Sequence, residues 1–133
     1  DGILEKYDPA NRDFKPSDEF MSKLKSKDWG RWAVAMPSGK KAVAPPYGSA
    51  PVGSMPADFL TDNDITGGNS GSPVLNAEGK VIGLAFDGNK ESLASDLYAV
   101  PDYNKCVCVD IRYVLWTLDK YAGMSRIIEE LGL

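Results

Sequence analysis

The run TGGNSGSPV, residues 66–74, sets Ser70 between Asn69 and Gly71 in a glycine-rich stretch that ends on a proline. A serine hydroxyl is a weak nucleophile. To attack a carbonyl it needs a base at hydrogen-bond distance and fixed donors for the oxyanion that forms. A residue without Cβ at Gly68 lets the peptide turn its N–H inward, and Gly71 lets the chain leave closely past a bound substrate. Two plainer readings compete: a hairpin turn with an incidental serine, and a phosphate-cradling nest of N–H groups. A phosphate loop calls for Lys and Ser or Thr after its last glycine and then a helix, whereas this run leads into Pro73 and a strand-turn-strand pattern. The nucleophile reading therefore fits the surroundings best.

The base is the difficulty. The 133 residues include no histidine, so no Ser-His-Asp triad can form within them. A Ser-Lys dyad would need a desolvated lysine, and neither Lys80 nor Lys90 sits in an apolar run. Metal chemistry has equally little to draw on. Cys106 and Cys108, in KCVCVD, read as two small apolar residues on one face of a strand, poor disulfide partners for each other, and no other Cys or His completes a ligand set. No metal and no cofactor is expected.

A chain of this length suits one domain with a core of its own, and 43% hydrophobic with 26% charged residues is ordinary for a folded protein. The formal net charge of −4, with no dense basic cluster, excludes a nucleic-acid footprint. No stretch approaches the roughly 18 consecutive apolar residues of a membrane span.

The elements that must position Ser70 read as an antiparallel β core with helices around it. Residues 16–27 predict a helix capped by Ser17, with Phe20, Met21 and Leu24 as its inner stripe. Trp32 to Met36 predict a strand, followed by a proline-rich excursion over 37–56. DFLTDN, SPVLN and KVIGLAFD alternate as strands, the last two joined by a turn at NAEGK, with Pro73 at an edge or a strand start. A polar insert, 88–104, leads to the strand CVCVD. Asp110 then caps the helix IRYVLWTLDKY, Gly123 stops it, and Ser125 is the expected cap of a last short helix.

GNSGSP is common to many chymotrypsin-like peptidases, but NDITGGNSGSPVLNAEGKVIGLAFDGN followed by VDIRYVLWTLDKYAG is more particular. From Phe59 to Leu131 the chain resembles the C-terminal catalytic segment of the bacterial dipeptidyl-peptidase 7 and 11 family, and residues 1–30 resemble it more weakly. The resemblance implies a mainly β fold, the C-terminal half of a chymotrypsin-like (trypsin-like) double β-barrel with peripheral helices, residues 1–133 forming that single domain. It implies exopeptidase activity that releases dipeptides from free N-termini, in a periplasmic or secreted setting.

Carried onto these residues, the resemblance makes Ser70 the nucleophile and the N–H groups of Gly68 and Ser70 the oxyanion donors. Asp87 corresponds to an acid that helps hold the substrate's free α-amino group, a contact an internal peptide cannot complete. Gly88 stands where acid-selective members carry an arginine, implying a hydrophobic or broadly tolerant pocket, and Phe86 is a candidate for the channel wall. Asp64, six residues before Ser70, sits where trypsin-like enzymes select basic side chains, but the family includes it in members of differing preference. The missing histidine and its aspartate are expected on an N-terminal barrel, beside a helical domain, of the same longer polypeptide. The isolated chain should then be inactive and should expose an apolar face, or cover it by forming a homodimer. The alternative is a non-catalytic, protease-like module for peptide binding or assembly.

Overall fold

Alternation of apolar residues along short segments gives a four-stranded antiparallel sheet, as a computed structural model of the chain shows for residues 16–34, 50–94, 97 and 102–133. Its strands are β1 (Asp58–Thr61), β2 (Pro73–Leu75), β3 (Val81–Gly88) and β4 (Cys106–Asp110), in the order β1-β4-β3-β2. The two longest strands thus lie in the centre. Pro73 opens the edge strand β2, where its missing N–H costs no central ladder bond. The predicted turn between β2 and β3 is closed by Asn76, whose Oδ1 accepts from the N–H groups of Glu78 at 3.0 Å and Lys80 at 2.9 Å.

Strand alternation puts Cys106 and Cys108 on one face, where both are fully buried against Ala85. Both thiols are free and their sulfurs lie 3.5 Å apart. Phe59, Ile65 and Val74 cover this cluster from β1, the loop after it and β2. Phe59 reaches past its neighbour β4 as far as Gly83 on β3, where a Cβ would stand 2.6 Å from the ring and 2.5 Å from the carbonyl oxygen of Val109. A glycine at that point leaves room for the Phe59 ring. Residues of both edge strands border one groove of about 860 Å³, with Phe59, Leu60 and Thr61 from β1 and Val74 and Leu75 from β2 in its lining.

The helices gather around a second core of Trp32, Leu115, Trp116 and Ile128. Helix α1 (Asp18–Ser26) is capped as predicted, Ser17 Oγ accepting from the N–H of Phe20 at 3.1 Å, and it packs Phe20 and Leu24 against that core. Buried Asp110 ends β4 and caps α2 (Ile111–Trp116), accepting from Arg112 N–H at 2.9 Å. The same carboxylate takes a paired contact from the Arg112 guanidinium, Nε at 2.9 Å and Nη2 at 2.6 Å, so its charge is compensated where it is buried.

Three expectations fail here for local reasons. Gly30–Trp32 form a single 3-10 turn instead of starting a strand, because Trp32 is drawn into the helical core and its Nε1 donates to Asp119 at 2.9 Å; Ala35 and Met36 lie outside the described residues, as do 37–49 of the proline-rich excursion. The helix after Asp110 does not stay regular to Tyr121. It widens into a π turn over Thr117–Tyr121, where Thr117 Oγ1 donates to the Tyr113 carbonyl at 2.9 Å and the N–H of Ala122 donates to the Thr117 carbonyl at 2.8 Å. Ser125 is the first residue of α3 (Ser125–Glu130) and not its cap; Met124 holds the cap position without a side-chain bond.

Candidate active site

Ser70 lies on the turn between β1 and β2, which is closed on itself before it is fastened to the sheet. Asn69 accepts from Thr66 N–H through Oδ1 at 2.8 Å, and its own N–H donates to the Thr66 carbonyl at 3.2 Å. Past the serine, Gly71 N–H donates to the Ala85 carbonyl at 2.6 Å and Ala85 N–H to the Ser72 carbonyl at 2.9 Å. Gly68 at φ +98° and Gly71 at φ +87° adopt backbone that L side chains rarely take, with open space where a Cβ would be. Conformation, rather than crowding, is what requires glycine there. Ser70 is exposed, and its Oγ donates to the carbonyl oxygen of Phe86 at 3.3 Å.

That carbonyl belongs to a bulge. Ala85 pairs with Cys108 and Asp87 with the next β4 residue, Val107, leaving Phe86 as the extra residue of β3. A bulge re-aims the side chains beside it. Here it exposes Phe86, at 48%, and Asp87 on the stretch that faces the serine turn. The Asp87 carboxylate accepts from the N–H of Gly88 at 2.8 Å through Oδ1. Ser70, Phe86, Asp87 and Gly88 are thus brought together by one hydrogen bond and one strand end, with Gly68 on the same turn as the serine. Asp64, Lys80 and Lys90 are exposed, and Ser70 Oγ is bonded to a main-chain carbonyl, not to a lysine.

Sequence reasoning passed over what holds this strand end. Asn89, inside the stretch read as a polar insert, donates from Nδ2 to the Tyr103 carbonyl at 2.7 Å and accepts on Oδ1 from Lys105 N–H at 3.0 Å. Its main chain adds a bond from N–H to the Lys105 carbonyl at 2.9 Å. Ser92, in the 3-10 turn Lys90–Ala94, bonds to Asn89 in turn. The available signal was Asn followed three residues later by Ser after a strand end, a local capping pattern. Lys105 also makes an ion pair with Asp62. The groove between β1 and β2 does not include Ser70.

The family profile described as Peptidase S46 matches residues 1–133. The chain belongs to the peptidase S46 family. Its S46 relatives include the dipeptidyl-peptidase 7 of Phocaeicola vulgatus, 45% identical over 132 residues, covering 99% of this chain and 16% of the relative. The Asp/Glu-specific dipeptidyl-peptidase of Porphyromonas gingivalis is 38% identical over 133 residues, covering 100% of the chain and 16% of that protein. Among solved structures, that of Porphyromonas endodontalis DPP11 in complex with the dipeptide Arg-Glu superposes with a TM-score of 0.78 at 37% identity, over 98% of this chain and 16% of the other. The S46 match thus runs well beyond Phe59–Leu131, and the chain spans about a sixth of the length of these relatives. Among the described residues no helix is long and apolar enough to cross a membrane.

Proposed function

We propose that this chain is the serine-bearing part of a dipeptidyl-peptidase. Ser70 Oγ attacks the carbonyl of the substrate's second residue, the N–H groups of Gly68 and Ser70 receive the oxyanion, and the amine of the third residue leaves with a proton. Water then hydrolyses the acyl-serine to free the dipeptide. The observation that carries this reading is the turn itself: an exposed serine after a positive-φ Gly68, bonded to the strand end that bears Asp87 and Gly88.

The base that takes the serine proton is a histidine contributed by another part of a longer polypeptide, since the sequence here has none. In support, the chain covers 16% of its relatives' length. Residues 1–133 are then the C-terminal barrel of a chymotrypsin-like pair, a reading in keeping with the groove that both edge strands border. The partner parts are an N-terminal barrel and a helical domain, and a periplasmic or secreted location follows from the same resemblance.

Asp87 pairs with the substrate's α-ammonium, Phe86 lines the channel, and the second substrate side chain runs past Gly88. Relatives carry both general and Asp/Glu-specific names. Gly88 offers no cation, which favours hydrophobic or broad preference over acidic. The test is the full-length protein with a peptide and its N-acetylated twin. Dipeptide release from the free peptide alone, lost on Ser70→Ala, is the expected result; undiminished release by that variant would overturn the reading.

A further inference from the structure

We propose that Ser92 is a specificity-determining residue of this site, held by Asn89 so that its hydroxyl stands against Gly88, in place of a side chain there, as a hydrogen-bond acceptor. The inference rests on the assignment of Gly88 to the pocket made under Proposed function. A carbon attached to Gly88 would stand 2.8 Å from Ser92 Oγ and 3.4 Å from Ser92 Cβ. Ser92 therefore stands where a side chain on Gly88 would project.

A serine hydroxyl has one proton and two lone pairs. Ser92 Oγ lies 2.6 Å from Asn89 Oδ1 and 2.9 Å from the Asn89 carbonyl oxygen, both acceptors, so its proton is committed to Asn89. Asn89 cannot reverse its amide to release it. Its Nδ2 donates to the Tyr103 carbonyl at 2.7 Å, and its Oδ1 accepts from the N–H groups of Lys105 at 3.0 Å and Ser92 at 3.2 Å. The N–H of Gly88 is occupied by Asp87 Oδ1 at 2.8 Å. What Ser92 has left to offer a substrate is lone pairs.

This arrangement separates two side chains of the same size. A glutamine at the second substrate position can donate to Ser92, whereas a glutamate brings a carboxylate against an acceptor and loses water without gaining a donor. Apolar side chains take no penalty of that kind. The wall behind Gly88 thus selects uncharged second residues by refusing a carboxylate a partner.

The experiment uses the full-length protein and dipeptidyl substrates that differ only in Gln, Glu or Leu at the second position. The wild type should favour Gln over Glu by about tenfold or more in kcat/KM. Ser92→Ala removes the acceptor and should bring that ratio to within about threefold. A second arm does not depend on that ratio: Gly88→Ala sets a methyl against the hydroxyl and should lower kcat/KM on all three substrates, and adding Ser92→Ala should recover most of the loss. An equal Gln and Glu rate in the wild type, an unchanged ratio in Ser92→Ala, or no recovery in the double variant would overturn the role of Ser92 while Ser70-dependent dipeptide release leaves the proposed function standing. Absence of Ser70-dependent release from every substrate would overturn both.

Discussion

The hydroxyl of Ser70 donates to the carbonyl oxygen of Phe86 at 3.3 Å, joining the tip of the glycine turn to the bulge of β3. For an O–H donor this is long, since such bonds cluster near 2.7–2.8 Å. The bond orients the serine without holding it strongly. An exposed hydroxyl in a weak bond can pass to a base brought up beside it, which is what attack on a carbonyl requires.

On the proposed role of Ser70 as nucleophile, Ser70→Ala in the full-length protein should lower kcat by at least about a thousandfold, because the proposed oxyanion donors and binding contacts cannot replace it. Stability should change by less than about 1 kcal/mol, the usual worth of one exposed hydrogen bond. Steady-state kinetics and denaturant unfolding on the same preparation check both halves. Turnover within tenfold of wild type would remove Ser70 from the chemistry.

Asp87 has two separable contacts, one to Gly88 N–H within the chain and one proposed to the substrate ammonium. Asp87→Asn keeps an oxygen for Gly88 and removes the charge. The expected result is a fall of about 10- to 100-fold in kcat/KM on peptides with a free amino group, the range for a charge-assisted hydrogen bond. Binding of an N-acetylated peptide, measured by competition, should stay the same. Equal losses for both peptides would mean that Asp87 acts through the strand and not through the ammonium.

Local chemistry explains which parts of this structure were legible. The Ser17 and Asp110 caps, the Asn76 turn, the edge position of Pro73 and the shared face of Cys106 and Cys108 each depend on neighbours within a few residues, and all were readable. The serine turn belongs with them, since Gly68 and Gly71 announce positive φ by residue type. Trp32 was misread because its fate is set by Asp119, 87 residues away. The bulge at Phe86 depends on register with β4, and the bonds of Asn89 to Tyr103 and Lys105 span the whole insert. Nothing in a local window carries those pairings.

Gly83 is a case where the missing side chain is structural. A Cβ there would meet the Val109 carbonyl oxygen at 2.5 Å and the Phe59 ring at 2.6 Å. Gly83→Ala should destabilise the protein by about 1–3 kcal/mol, the usual cost of overpacking a formed core. Adding Phe59→Leu should recover only part of that, since the Val109 main chain cannot withdraw without breaking its pairing with Leu84. Urea unfolding of the two variants checks the order; full recovery in the double variant would mean that the main-chain clash is absent.

Burial pushes the Cys108 thiol from its ordinary value of 9.0 to about 11, with its contact to Cys106 adding to the rise and the Thr61 hydroxyl opposing it. A folded-state value above the unfolded one means the native protein keeps this proton after the unfolded chain has lost it. The stabilisation is present in full below pH 9 and is lost as pH rises from about 9 to about 11. Burial also raises Tyr113, so wild-type stability alone would mix the two groups. The comparison that isolates the thiol is wild type against Cys108→Ala: the stability difference between them should shrink across that window, and iodoacetamide at pH 8 should label Cys108 only as fast as the protein opens. Rapid labelling of the folded protein, or a difference that does not change from pH 8 to 11, would show that the thiol is neither buried nor shifted as the sheet places it.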